Sequence, residues 1–426
     1  MNMKTRYKIF IACACVIVLA IGGFTAYKEK TKSNKTENEK ISDITIEKQE
    51  ESSYSEIAEN KKEAGEKQKN SETESEIDEE EKLLTQMSLE DKVAQMFVTF
   101  LDSFAETENI TEADARLKEQ FSKYPVGGIL MMKNNIETPE QITELNKQLK
   151  QISCERTGLY PFLCIDEEGG TVTRIAKNSE FPVTDVGDMS EIGATGDPTE
   201  AYQVGTTIGS YLKEYQFNLD FAPDADVLIN PDNEVIGKRS FGSDEAIVSE
   251  MVVQEIKGLH QENICTSAKH FPGHGATKED SHQGFAYSER TLEQIRECEL
   301  LPFQAAIREG TEFVMVGHIS YPEITGDDEP ASLSQYMITD LLRNEMKYNG
   351  IIITDAMNMG AISQNYSSGE ATVKAVQAGI DIILEPADFM ESYHALLDAV
   401  ENGTISEERI DESVRRILKV KSNLKK

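Results

Sequence analysis

From Leu83 to the C-terminus the chain repeats one alternation, a short apolar run followed by a stretch at helical spacing. The runs are Val93–Thr99, Val126–Met132, Phe162–Asp166, Leu219–Pro223, Thr266–His270, Phe313–His318, Ile351–Asp355 and Asp381–Pro386. Helical patterns such as Thr138–Ile152 and Asp244–Asn263 lie between them. In the second, Ile247, Met251, Val252, Ile256 and Leu259 keep one helical face, and Asp244 stands where an N-cap would. Eight such alternations over about 340 residues predict an α/β fold, a parallel (β/α)8 barrel of the TIM type forming one domain over 83–426. A doubly wound open sheet fits the same periodicity. The polar residues favour the barrel. Asp166, Asp220, His270, His318, Asp355 and Glu385 fall at or near C-terminal strand ends, and a barrel gathers those ends around one opening. The run "SEERIDESVRRILKVKSNL" reads as the closing helix, with no further domain expected after it.

The segment before the barrel reads differently. Lys4, Arg6 and Lys8 precede an uncharged run, Ile9–Tyr27. As a helix it would span roughly 28 Å, the thickness of a bilayer core. It exceeds the ~7–15 apolar residues usual in a cleavable signal. Residues 1–27 are therefore read as a retained signal-anchor, with the basic end cytoplasmic and the rest of the chain extracytoplasmic. Secretion after cleavage, for instance behind Gly22, is the alternative. Residues 28–82 are mostly Glu, Lys, Ser, Asn and Thr, with no sustained apolar period. They are expected to form a disordered charged linker, because such a composition buries too little surface to offset ordering entropy.

The formal charge of −33 excludes nucleic-acid binding through a general basic surface. The chain contains no Trp, which removes the usual stacking platform of a carbohydrate-binding module but not a sugar pocket built from polar groups. Cys164 and Cys265 lie in apolar strand-like runs and no CxxC pair exists, so buried free thiols are expected.

Three of the six histidines, His270, His274 and His282, fall within "KHFPGHGATKEDSH", Lys269–His282. A metal site, a proton-transfer site and a solvated loop are the readings to weigh. His270 and His274 are spaced to share a metal on a helix, but Pro272 and Gly273 between them break a helix interior. No metal or other cofactor is expected. Asp280 and His282 are two apart, close enough for the carboxylate to hold one imidazole nitrogen and support a proton on the ring. Asp355, ending the apolar run "GIIITD", is the candidate partner for covalent chemistry.

At this point a resemblance enters. "KHFPGHG…DSH", "IDEEGGTVTR", "GKRSFGSD", "PASLS" and "IITDAMNMGAI" occur in order from about Leu83 onward. This set resembles glycoside hydrolase family 3, in its β-N-acetylglucosaminidase (β-N-acetylhexosaminidase) branch. The resemblance implies a barrel catalytic domain, a retaining mechanism and no metal. It implies Asp355 as nucleophile and His282 as general acid/base, held by Asp280. It also implies Asp166, Arg174, Arg239, Lys269 and His270 as sugar contacts. The substrate it implies is GlcNAc-containing peptidoglycan fragments, cut from the non-reducing end. Ala276 departs from the pattern, standing where many relatives carry Asp. A broad β-glucosidase, a GlcNAc phosphorylase of the same family, and a non-catalytic surface glycan-binding protein are the alternatives.

Overall fold

The structure is a computed structural model and describes residues 79–278, 284 and 286–424. The apolar run 9–27 lies outside the described residues, as does most of the expected linker. Among the described residues no helix is long and apolar enough to cross a membrane. The linker boundary at residue 82 needs correcting, because residues 79–86 are helical. Charge complementarity holds this turn to the last helix. Glu81 pairs with Arg415 at 2.9 Å, and Ser422 Oγ donates to Glu80 at 2.8 Å.

Eight parallel strands form the centre: β1 Phe97–Phe100, β2 Gly128–Leu130, β3 Phe162–Ile165, β4 Leu219–Asp220, β5 Cys265–Phe271, β6 Phe313–Val316, β7 Ile351–Thr354 and β8 Ile383–Leu384. Their spatial order follows the chain, with β8 returning to pair beside β1. A parallel bridge between Ile353 and Ile382 brings β7 against the start of β8, so the ring is nearly closed. Asp381 pins that seam. It accepts from the Ile352 amide at 3.0 Å, Arg343 Nη2 at 2.7 Å, Ser413 Oγ at 2.7 Å and Arg416 Nη1 at 2.9 Å.

Each strand falls within or against one of the apolar runs. Burial on both faces explains why runs such as FLCI, FVMV and IIIT are continuous rather than alternating. The first run was placed too early. Leu89–Gln95 is a helix, capped by Ser88 Oγ accepting from the Asp91 amide, and β1 starts only at Phe97. A short apolar run does not by itself distinguish a buried helical turn from a strand. The four described cysteines are free, with Cys164 and Cys265 buried.

The helix Glu245–Gln261 carries the expected Asp244 cap. Its buried stripe is Val248, Met251, Val252, Glu255, Ile256 and Leu259, whereas Ile247 is 38% exposed, one position off that stripe. It packs backbone to backbone against Pro198–Glu214. A Cβ on Gly258 would lie 2.4 Å from the Tyr202 carbonyl oxygen. The closing helix Glu407–Leu424 sends Lys421 into the core, where its ammonium donates to Gln95 Oε1 at 2.7 Å and lies over the Phe162 ring.

Glu255 sits in the core stripe with its Oε2 unpartnered. Burial, reinforced by the Asp220 and Glu168 charges, pushes its carboxyl well above the usual carboxylate range. The folded chain thus keeps a proton that the unfolded chain releases. The stability this supplies is complete below the ordinary carboxylate pKa and is lost as pH rises, by about 1.4 kcal/mol per pH unit. Glu255→Gln removes this dependence. Urea unfolding between about pH 5 and pH 8 should show the variant gaining on the parent as pH rises. Parallel stability–pH curves would exclude an ionisation-linked cost at this position.

Candidate active site

The C-terminal ends of the strands open into a cavity of about 1070 Å3. One wall is polar: Asp166 and Glu168 after β3, Arg174 and Arg239 on loops, Lys269 and His270 in β5, and Asp355 after β7. The other is apolar, with Phe100, Leu130, Met132, Met315, Met359 and Leu384.

The polar wall is built around Lys269. Its ammonium lies 2.8 Å from Asp166 Oδ1 and 2.6 Å from Glu168 Oε1. Arg174 Nη2 holds the other Asp166 oxygen at 3.1 Å. Arg239 grips Glu168 through two parallel bonds of 2.8 Å. Burial opposes charge on both Lys269 and Glu168. The Asp166 and Glu168 charges override it at Lys269 and keep that ammonium protonated, and Arg239 and Lys269 hold the Glu168 carboxyl far below its ordinary range.

Behind this wall Asp226 fixes the histidines. Arg239 Nη2 lies 3.2 Å from His270 Nε2. Arginine only donates, so Nε2 accepts, and the His270 proton sits on Nδ1, which donates to Asp226 Oδ2 at 2.8 Å. The other Asp226 oxygen accepts the His274 backbone N–H. His274 is buried, and that burial lowers its pKa to about 4; its Nδ1 lies 2.8 Å from Thr277 Oγ1. Asp224, Asp226 and His270 place potential ligand atoms within 4.8 Å of one another. The Arg239 guanidinium already stands among them, 3.6 Å from Asp224 Oδ2, and a cation there would have to displace it. Burial, then the neighbouring Asp226 charge, pushes the Asp224 carboxyl well above its usual range.

Five of the sequence-derived residues, Asp166, Arg174, Arg239, Lys269 and His270, thus line one cavity together with Asp355. Asp355 accepts the Ala356 amide on Oδ1 at 2.7 Å and donates its own amide to the Val316 carbonyl. Asp280 and His282 lie outside the described residues.

The predicted ring of strand-end polar groups needs correction at Asp220, His318 and Glu385, none of which lines the cavity. Asp220 is buried and accepts the Glu167 amide at 3.0 Å. His318 Nε2 lies 3.0 Å from the Ala356 carbonyl, which only accepts, so Nε2 carries the proton and Nδ1 accepts from Ser332 Oγ at 2.7 Å. It supports the Asp355 turn from behind. Glu385, at φ 39°, accepts the Phe100 amide and Ser103 Oγ, both at 2.6 Å.

Glu168 and Asp226 were missed. Strand alternation held the signal for the first. In "IDEEGG" it carries Asp166 and Glu168 to one side and Glu167 to the other. Glu167 indeed turns away, accepting three backbone N–H groups from Arg174, Ile175 and Ala176 and the Tyr211 hydroxyl. Nothing local distinguishes Asp226, because its partners, His270 in β5 and the His274 amide on the loop after it, lie 44 and 48 positions away.

A parallel barrel whose strand ends open into a cavity lined by paired carboxylates and cations has the layout of a barrel enzyme with its active site at that face. Comparison makes the class specific. Residues 88–420 match the glycosyl hydrolase family 3 N terminal domain, and the chain belongs to that family of glycosidases. It is 34% identical over 340 residues to beta-hexosaminidase A of Pseudoalteromonas piscicida, covering 74% of this chain and 56% of that protein. It is 32% identical over 295 residues to beta-hexosaminidase of Stenotrophomonas maltophilia strain K279a, covering 67% and 84%. A family 3 beta-N-acetylglucosaminidase from Paenibacillus sp. str. FPU-7 superposes with a TM-score of 0.75 at 38% identity, over 80% of this chain and 63% of that one. The chain thus spans less than two thirds of the Pseudoalteromonas and Paenibacillus proteins.

Glu168→Gln keeps the shape of the cluster and leaves Lys269 and Arg239 short of one negative charge. Unfolding free energy should fall by about 3–5 kcal/mol, the cost of breaking a buried pair. Adding Arg239→Gln should cost less than the sum of the two single changes, because the second removes the stranded charge. Strictly additive losses in urea titrations would show that the pair is not coupled.

Proposed function

We propose that the chain is a retaining exo-β-N-acetylglucosaminidase that releases non-reducing terminal GlcNAc from peptidoglycan-derived glycans. The observation that carries this reading is the position of Asp355 in the same cavity as the Asp166–Lys269–Glu168–Arg239 cluster. A cavity closed at its inner end by paired charges suits the hydroxyls of one terminal sugar, whose anomeric carbon then faces Asp355. The hexosaminidase relatives support the N-acetylated sugar.

In this mechanism Asp355 attacks the anomeric carbon and the glycosidic oxygen leaves with a proton from His282. Water, deprotonated by His282, then releases the sugar with its β configuration restored. Asp280 orients and charges the His282 ring. This replaces the second carboxyl group of the usual retaining pair. No step requires a metal. The run 9–27 would anchor the enzyme on the outer face of the membrane, with the following charged segment as a tether.

Asp355→Ala should fold normally and lose at least about a thousandfold in kcat on a GlcNAc disaccharide. Near-parental turnover by the folded variant would sink the nucleophile assignment. For His282→Ala the leaving group decides. A nitrophenolate departs without protonation and a sugar hydroxyl does not, so the variant should lose far more rate on the disaccharide than on an aryl glycoside. On the aryl glycoside, azide should restore turnover and give the β-azide, read by NMR. An α-azide, or equal losses on both substrates, would show that the roles are wrong.

A further inference from the structure

The buried charges of the cavity are paired, but two carboxylates at its outer edge are not. Asp232 and Glu234 both line the cavity and are exposed. Neither side chain has a hydrogen-bond or ion-pair partner among the described residues. Their backbone is nonetheless held. Asn233 between them is buried. Its Nδ2 donates to the His274 carbonyl at 2.8 Å, and its Oδ1 accepts the Val235 and Ile236 amides at 3.0 and 2.9 Å. On the same loop, Asn230 Nδ2 donates to the Thr277 carbonyl at 3.1 Å. The two carboxylates are therefore presented from a fixed position. Among the described residues lining the cavity, Lys278 is the exposed cation, against the two exposed carboxylates Asp232 and Glu234.

Lys269 is buried while Asp232 and Glu234 are exposed in the same cavity, so with a terminal sugar on the Lys269 cluster these two carboxylates are left to the group being cut away. The volume of about 1070 Å3 is at the top of the ~300–1,000 Å3 range of small-molecule sites, which leaves room for the group being cut away. We propose that Asp232 and Glu234 select the aglycone by charge and favour one bearing a primary ammonium group. That ammonium belongs either to a 2-amino-2-deoxy sugar without its acetyl group or to a diamino acid of a peptide stem. An aglycone with a free carboxylate is disfavoured. The inference rests on the GlcNAc-releasing reading above and specifies the other half of its substrate.

The test compares kcat/KM on four substrates that share a terminal GlcNAc. They end in GlcNAc, in glucosamine, in N-acetylmuramic acid with its carboxylate free, and in N-acetylmuramic acid carrying a stem with a diamino acid whose remaining carboxyl groups are amidated. Unit charges about 4–8 Å apart in water change a rate or affinity by roughly two- to sixfold each. An ammonium-bearing substrate should exceed the neutral disaccharide by that factor per carboxylate, and the free-carboxylate substrate should fall below it by a similar factor. A gain confined to the glucosamine substrate assigns the ammonium to the sugar, and a gain confined to the peptide substrate assigns it to the stem. In Asp232→Asn/Glu234→Gln the ratios to the neutral disaccharide should approach one. In the parent enzyme they should also shrink at ~1 M salt, where screening acts over about 3 Å. Cleavage of the neutral disaccharide with flat charge dependence, or with ratios unchanged in the variant, overturns the inference and leaves the GlcNAc reading standing. Failure to cleave any of the four overturns both.

Discussion

The ammonium of Lys269 organises the top of this barrel. A buried lysine is stable as a cation only where carboxylates surround it, and here Asp166 and Glu168 do so at 2.8 and 2.6 Å. Each of those carboxylates is held in turn by an arginine, Arg174 or Arg239. Two strand-end regions and two loops are thereby fixed relative to one another by charge that has nowhere else to go. Every one of these groups still presents an edge to the cavity. A polyhydroxylated ligand thus meets donors and acceptors whose positions are set before it arrives, and such preorganisation limits the ordering cost of binding.

A second constraint lies directly behind. Asp226 is fully buried and holds both His270 and the backbone of His274. Burial would push its carboxyl up, and the His270 N–H together with the nearby histidines keeps it below its ordinary range. Through this one carboxylate, the Lys269 cluster and the root of the segment that follows β5 share an anchor. Asn233 adds a second tie from the loop that also carries Arg239. Just after β6, the strand paired with β5, His318 braces the Asp355 turn through the Ala356 carbonyl. The groups that fix the site from behind, Asp226, Asn233 and His318, are themselves buried.

The cavity is asymmetric for a physical reason. Its apolar wall, Phe100, Leu130, Met132, Met315, Met359 and Leu384, comes from residues at or near the ends of β1, β2, β6, β7 and β8. Its charged wall comes from β3, β5, the loops after β3 and β4, and Asp355 after β7. Hydroxyls and an apolar sugar face or methyl group would find different partners on the two sides, so one orientation of the sugar ring is favoured over its reverse.

The alternation of apolar runs with helical stretches by itself determined the strand count, the parallel arrangement and the closing helix. These depend on local periodicity and on burial of both strand faces, which leave continuous apolar runs in the sequence. Asp166, His270 and Asp355 were also legible, because each lies at or near a strand end where a barrel opens, whereas Lys269 came only through the family resemblance. The sequence did not separate them from Asp220, His318 and Glu385, which occupy equivalent positions. Only the tertiary structure decided that Asp220 turns to a backbone amide, that His318 bridges Ser332 and Ala356, and that Glu385 caps the turn after β1. It likewise made Glu168 the partner of Lys269 and Arg239, which are 101 and 71 positions away. Whether a strand-end carboxylate faces ligand or protein depends on which distant donor arrives beside it, and no periodicity in the chain encodes that arrival.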